Sequence, residues 1–525
     1  ALRGQSGSST GSNNIALGAE SGCSLTTGDF NVMLGQKAGN DLTGGRHNNL
    51  IGARAGCSIT SGRYNNFFGS DAGRAHTIGC HNNFLGFYAG RNNTEGQSNN
   101  FIGREAGFSN LTGNNNTFIG QYAGRFFTTA SNNVAIGASA LRGQSGSSTG
   151  QNNIAIGALA GCCNTTGRYN NFFGCRAGRC NTEGTHNTFM GFSAGMNNTG
   201  GNGNFFAGQD AVCCNTGDFN TIIGQFAGKE QQEACRNVFI GINAGRNVST
   251  GSNNNFIGGY AGQNVDTGAH NNFMGAFAGC QSTDGCDNNY LGRYAGCSNT
   301  TGERNHLLGS NAGRYFIASD NVAIGNSALR GQSGSSTGIK NIAIGAFAGC
   351  NTTTGSCNFF AGHYAGRTND VGDLNVFIGD SAGRYNCSGR FNNFMGSRAG
   401  YTNTEGDSNN FLGRCAGFAN TDGCHNNFLG ECAGFHFKSG CHNIGFGQCA
   451  LYGQVDVSTG SDNIAIGQEA GCNITTGCSN VFLGKYAGCS TQSGSDNIII
   501  GLLAGYENTA DNNFFAGRLA GRNNL

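Results

Sequence analysis

The apolar residues of this chain arrive in short bursts that keep register from one end to the other. A burst follows an Asn and closes on a Gly, as in Asn99-Asn100-Phe101-Ile102-Gly103. An Ala stands three residues beyond the Gly, and a polar stretch rich in Asn, Thr and Gly leads to the next burst. Thirty such units occur; of the 29 steps between their anchor glycines, 23 are 17 residues, three are 16 and three are 20. The Asn four residues before the anchor is present in every unit, and the position three after it is Ala in all but one, Ser21. The burst reads as a strand, aromatic or β-branched and ended by Gly. Phe87-Tyr88-Ala89 reads as a second short strand, and residues 92–96 as a turn. No 3.6-residue stripe appears, so helices are not expected.

Seventeen residues cannot fold alone. They can form one rung that pairs its backbone with the rungs on either side, and a fixed short period is the mark of such a stack. The expected fold is all-β, a parallel β-solenoid (β-roll or β-helix) of about thirty rungs. It runs as one continuous domain over residues 1–525, with longer 20-residue rungs near 138–157, 326–345 and 448–467. Stacking places Asn14, Asn31, Asn48, Asn65, Asn82 and Asn99 in one column, where side-chain amides can bond along the axis. The anchor Gly is expected at a bend where a Cβ would clash.

Parity divides the strand. The residue two before the anchor is Phe in 17 of 30 units; the residue one before it is Ile, Leu, Met, Phe or Ala. Neighbouring strand residues face opposite sides. Phe therefore fills the rung interior opposite the small Ala, and the other face presents an apolar stripe. That stripe is either an interface or covered by the rung's own edges. In Asn-Ile-Ala-Ile-Gly (Asn14, Asn153, Asn341, Asn463) and Asn-Val-Ala-Ile-Gly (Asn133, Asn321), Ala replaces Phe. Bulk is then expected to move from the inner face to the outer one.

Composition narrows the class. Ninety-four Gly without any Pro excludes collagen. A net charge of +1, from 30 basic and 29 acidic residues, offers no basic stripe for nucleic acid. No apolar run approaches the ~20 residues of a membrane span. The chain opens and closes in mid-unit, as a piece of a longer array would. Twenty-four Cys without metal-site spacing point to an oxidising, extracellular setting, against the alternative of buried free thiols. Same-phase neighbours one rung apart, at ~4.8 Å, are candidate disulfides. They are Cys280–Cys297, Cys472–Cys489, Cys163–Cys180 and Cys424–Cys441.

Nine Asn-x-Ser/Thr sequons fall six or seven residues after an anchor Gly, and so on the same turn. They are Asn92, Asn110, Asn164, Asn197, Asn247, Asn299, Asn351, Asn386 and Asn473; Asn115 carries a tenth elsewhere. Glycans there would form a hydrophilic row. Glu95, Glu183 and Glu405 sit at variable turn positions without a recurring His, which reads as solvated charge. No catalytic residue, metal ligand or cofactor site is assigned, and an enzyme is not expected.

The Asn-Ile-Ala-Ile-Gly strand, followed by x-x-Ala and a polar Gly-containing turn, resembles the head repeats of YadA-type trimeric autotransporter adhesins. The Asn-Thr-Thr-Gly turn at residues 164–167 also resembles Asn/Thr/Gly repeats of phage tail fibres and bacterial surface proteins. The first resemblance implies a left-handed β-roll, trimerisation and a cell-surface setting. The reading that follows is a secreted or surface-exposed structural subunit of a fibre. It would associate with itself through solenoid ends and the apolar strand face, on the order of 140 Å per chain at ~4.8 Å per rung. A surface adhesin or glycan-binding fibre is the alternative, and an ice-binding solenoid a third.

Overall fold

The computed structural model describes residues 10–146, 148–334 and 336–524. Its chain divides into two compact units, Ala1–Gly259 and Tyr260–Leu525. The first carries fifteen strands, from β1 (Ile15–Leu17) to β15 (Asn255–Ile257); the second carries β16 (Asn272–Met274) to β30 (Phe514–Ala516). Each unit is a parallel β-solenoid, and among the described residues there is no helix. Every strand is three residues long, and within each unit each strand pairs in parallel with its successor one repeat on. Thus Asn66, Phe67 and Phe68 lie against Asn83, Phe84 and Leu85.

Where successive rungs carry Phe, the interior is a column of rings. Phe67, Phe84, Phe101 and Phe118 are fully buried, with centroids 4.6, 4.8 and 5.0 Å apart and planes within 7° of parallel. The Ala three after the anchor (Ala72, Ala89, Ala106) is equally buried. The Gly that follows it leaves room for the ring: a Cβ on Gly73 would lie 2.5 Å from Phe67.

The expected second strand is not formed. Residues 87–92 turn, because Tyr88 takes φ +61° and Gly90 +56°, which breaks an extended run. A rung in fact holds four left-handed or positive-φ residues, two of them not glycine. Tyr64 (+56°), Gly69 (+139°), Asp71 (+57°) and Gly73 (+57°) are one set. Such conformations cost non-glycine residues about 1–2 kcal/mol each. They recur because each places an N–H against a carbonyl of the adjoining rung, Tyr64 on Arg46 at 3.0 Å and Asp71 on Ala53 at 2.8 Å. The anchor needs Gly for a separate reason: a Cβ on Gly69 would lie 2.5 Å from the Gly86 carbonyl oxygen.

Where Ala replaces Phe, a β-branched residue stands on the outer face as expected, as Val134 and Ile154 do beside the buried Ala135 and Ala155, and the long rungs also restore bulk inside. In the long rungs the Gly after the conserved Ala becomes Leu141, Leu329 or Leu451, each fully buried. Leu141 and Phe172 both reach the space beside Gly161, and Leu451 and Phe482 that beside Gly471. The preceding turn adds Phe127, Phe316 or Phe437 to the core. Each pairs in a parallel bridge with Ser148, Ser336 or Ser458 of the long rung.

Candidate functional columns

Because like positions stack, function must be sought in columns. The first is the inner asparagine ladder. Asn31 Nδ2 donates to Asn14 Oδ1 (3.0 Å) and to the Gly45 carbonyl (2.8 Å), while the Asn31 backbone N–H donates to the same Asn14 Oδ1 (2.9 Å). Asn48, Asn65 and Asn82 repeat the pattern on their predecessors at 3.0–3.1 Å. Asn99 keeps the backbone contact to Asn82 Oδ1 (2.9 Å) and donates its amide to Gly113. From Asn31 onward these side chains are buried with their amide groups engaged, which is the condition for burying them at all. A second ladder lies beside it on the outer face, where Asn49 donates to Asn66 and Asn66 to Asn83, each at 2.7 Å.

A third ladder occupies the turn. Asn369, Asn386, Asn403 and Asn420 are fully buried, with each later Nδ2 on the Oδ1 before it at 2.6–2.7 Å. This is the position seven after the anchor, and it divides the sequons by parity. Asn110, Asn164, Asn299 and Asn386 point inward and are fully buried. Their amides are enclosed by the rung, so the folded chain has no room for a glycan on them; the expectation is corrected at these four. Asn92, Asn197, Asn351 and Asn473 are half-buried on the outside, and Asn247 is exposed. The turn threonines next to this column spend their hydroxyls on the neighbouring rung's carbonyls, Thr26 on Thr43 at 3.1 Å and Thr43 on Thr60 at 3.2 Å.

The cysteines serve several purposes. Cys472 and Cys489 form a disulfide, their Cα atoms 4.8 Å apart. Cys280 and Cys297 are buried thiols with sulfurs 2.9 Å apart. Their shared hydrogen bond pushes the Cys297 thiol down and the Cys280 thiol up. Cys163 and Cys180 are thiols as well; Cys163 is held low chiefly by a hydrogen bond from Cys162, which competes for its sulfur. Cys424 and Cys441 are not bridged, because the Cys441 sulfur faces the Cys424 backbone N–H (3.2 Å) and Cys424 faces that of Asp407 (3.3 Å). Cys235, Cys286 and Cys478 accept a backbone N–H of the preceding rung in the same way. Asp29, Asp407 and Ser252 do this elsewhere in the column. Sequence reading missed this capping role; the exchange of Cys with Asp and Ser eleven residues after the anchor is the signal that carries it.

Glu95, Glu183 and Glu405 are exposed on turns. Asp71 is buried, but Arg54 (2.6 Å) and Arg74 (3.6 Å) neutralise it. The exposed rings of Phe30, His47, Tyr64 and His81 stack on one another at 4.9–5.1 Å, so their faces are covered and only edges meet solvent. Among the described residues one trio of potential metal ligands converges: Glu469, Cys472 and Cys489, with ligand atoms within 4.8 Å of one another. Among the described residues no helix is long and apolar enough to cross a membrane. No family model and no curated protein matches the chain.

Proposed function

We propose that this protein is a non-enzymatic structural subunit of an extracellular fibre, and that copies associate through the outer face of the sheet and through solenoid ends. The observation that supports this most is the outer strand column. The residue before the anchor Gly is never charged in thirty units, and the one two positions earlier is ionisable only at His306. Phe68, Leu85, Ile156 and Met190 lie 38–44% exposed on this column. A lone apolar side chain on a surface needs no explanation, whereas an unbroken uncharged column does. Two such faces can pack at ~10 Å with matching axial spacing. The disulfide and the five outward sequons favour a secreted setting, where glycans would keep the opposite edge from associating.

Electron microscopy with light scattering over a concentration series tests the reading. Wild type is expected to form filaments or lateral assemblies. Leu85→Lys with Ile156→Lys is expected to shift association to higher concentration while circular dichroism stays unchanged. A wild type that stays monomeric throughout the series would overturn it. A glycan array separates this function from adhesion.

A further inference from the structure

We propose that Glu469, Cys472 and Cys489 form a redox-gated binding site for a thiophilic divalent cation of the Zn2+ class. The three residues are brought together by rung closure. Cys472 and Cys489 occupy the same position on successive rungs, and Glu469 precedes Cys472 by three residues across the same bend. One carboxylate oxygen and both sulfurs fall within 4.8 Å of one another. The sulfurs are buried, Glu469 is half-exposed, and Cys449 and Tyr452 line the same open pocket. Two thiolates and a carboxylate suit a borderline-soft cation that accepts tetrahedral geometry, with the fourth position open to solvent. A thiophilic site of this kind discriminates against Ca2+ and Mg2+, which take oxygen ligands.

The disulfide is the gate. A bridged pair has no thiolate to offer, so the oxidised site is closed to metal. A dithiol reductant passes two electrons and two protons to the Cys472–Cys489 bond and itself becomes a disulfide. The two thiols that result release their protons to solvent as the cation binds. The chain carries its own control in Cys280 and Cys297, a pair in the same column with sulfurs 2.9 Å apart. The residues there that correspond to Glu469 are Phe277 and Tyr294, which supply no carboxylate. The inference is independent of fibre assembly.

The test is Cd2+ and Zn2+ binding to the full chain in competition with a chelator, before and after treatment with a dithiol that is then removed. Reduced wild type is expected to hold a tight equivalent with a thiolate-to-cadmium charge-transfer band, and oxidised protein to lack it. Glu469→Gln keeps the disulfide and so the fold, and is expected to weaken binding by ~10-fold or more; Cys472→Ser is expected to weaken it at least as far. Cys280→Ser with Cys297→Ser is expected to leave the site intact. Equal affinity in the oxidised protein, wild-type affinity in both Glu469→Gln and Cys472→Ser, or loss of the tight equivalent with the Cys280/Cys297 variant would each overturn the proposal.

Discussion

The rungs between Phe67 and Phe118 and the long rung that holds Leu141 fill the same interior by opposite means. In the first, a ring rises from the strand and a glycine across the rung makes way for it. In the second, the strand offers only Ala135, and a leucine stands where the glycine was. The exchange shows that the fold conserves the volume of each layer and leaves open which position supplies it. Close-packed interiors tolerate swaps of that kind far better than a net gain or loss.

The comparison can be broken at either end. Leu141→Gly should empty its share of the space beside Gly161, in a layer where the strand supplies only Ala135. The expected loss is about 3–5 kcal/mol, read as a fall in the denaturant midpoint or as lost hydrogen-exchange protection in the flanking rungs. Gly124→Leu should do the reverse, since its Cβ would meet the Phe118 ring at 2.3 Å. A loss of about 2–4 kcal/mol is expected. Adding Phe118→Ala copies the long-rung solution and should recover at least half of that loss. Additive single effects would mean that the two positions do not share one volume.

A smaller effect tests the polar columns that both kinds of rung share. Asn82→Ala strands the Asn99 N–H and the Gly96 carbonyl. It should cost about 1–3 kcal/mol, and Asn83→Ala on the outer ladder clearly less, because water replaces its partner. Equal losses would show that burial does not set the strength of the ladder.

The smallest effect depends on pH. His76 is buried between Gly79 and Asn93, and burial holds its imidazole below the ordinary value. Below about pH 6.5 the unfolded chain takes up a proton that the folded chain refuses. Stability should therefore fall as pH drops from there towards the folded-state value. His76→Asn, which copies the next rung's Asn93, should flatten that slope. An unchanged difference between neutral and acid midpoints in the variant would assign the acid sensitivity elsewhere.

Much of this architecture was legible because period and parity are backbone properties. The strand at Asn100–Ile102, the inward Phe101 and the amide column from Asn14 to Asn99 follow from a 17-residue lap and a two-residue alternation. What was not legible depends on where the chain turns. Asn92 and Asn93 are both turn-like by composition, yet one faces solvent and the other the core, and only the bend decides which. The second strand failed for the same reason, since nothing in Tyr88 itself announces a left-handed residue. Cysteine misled because one residue type plays three roles: bridge at Cys472, thiol pair at Cys280 and backbone cap at Cys441. Lap spacing paired Cys472 with Cys489, but nothing in the sequence joined Glu469 to them, because only the bend between Glu469 and Cys472 brings its carboxylate to the sulfurs.

The paired asparagines have an electrical consequence. Asn65 donates its amide back to Asn48, whereas its neighbour Asn66 donates forward to Asn83. The two files of dipoles therefore run in opposite senses, and where both are present each cancels the other's field. An α-helix grows a terminal partial charge as its peptide dipoles align. Stretches with paired amide files therefore gain less axial dipole per added rung than a single file would give.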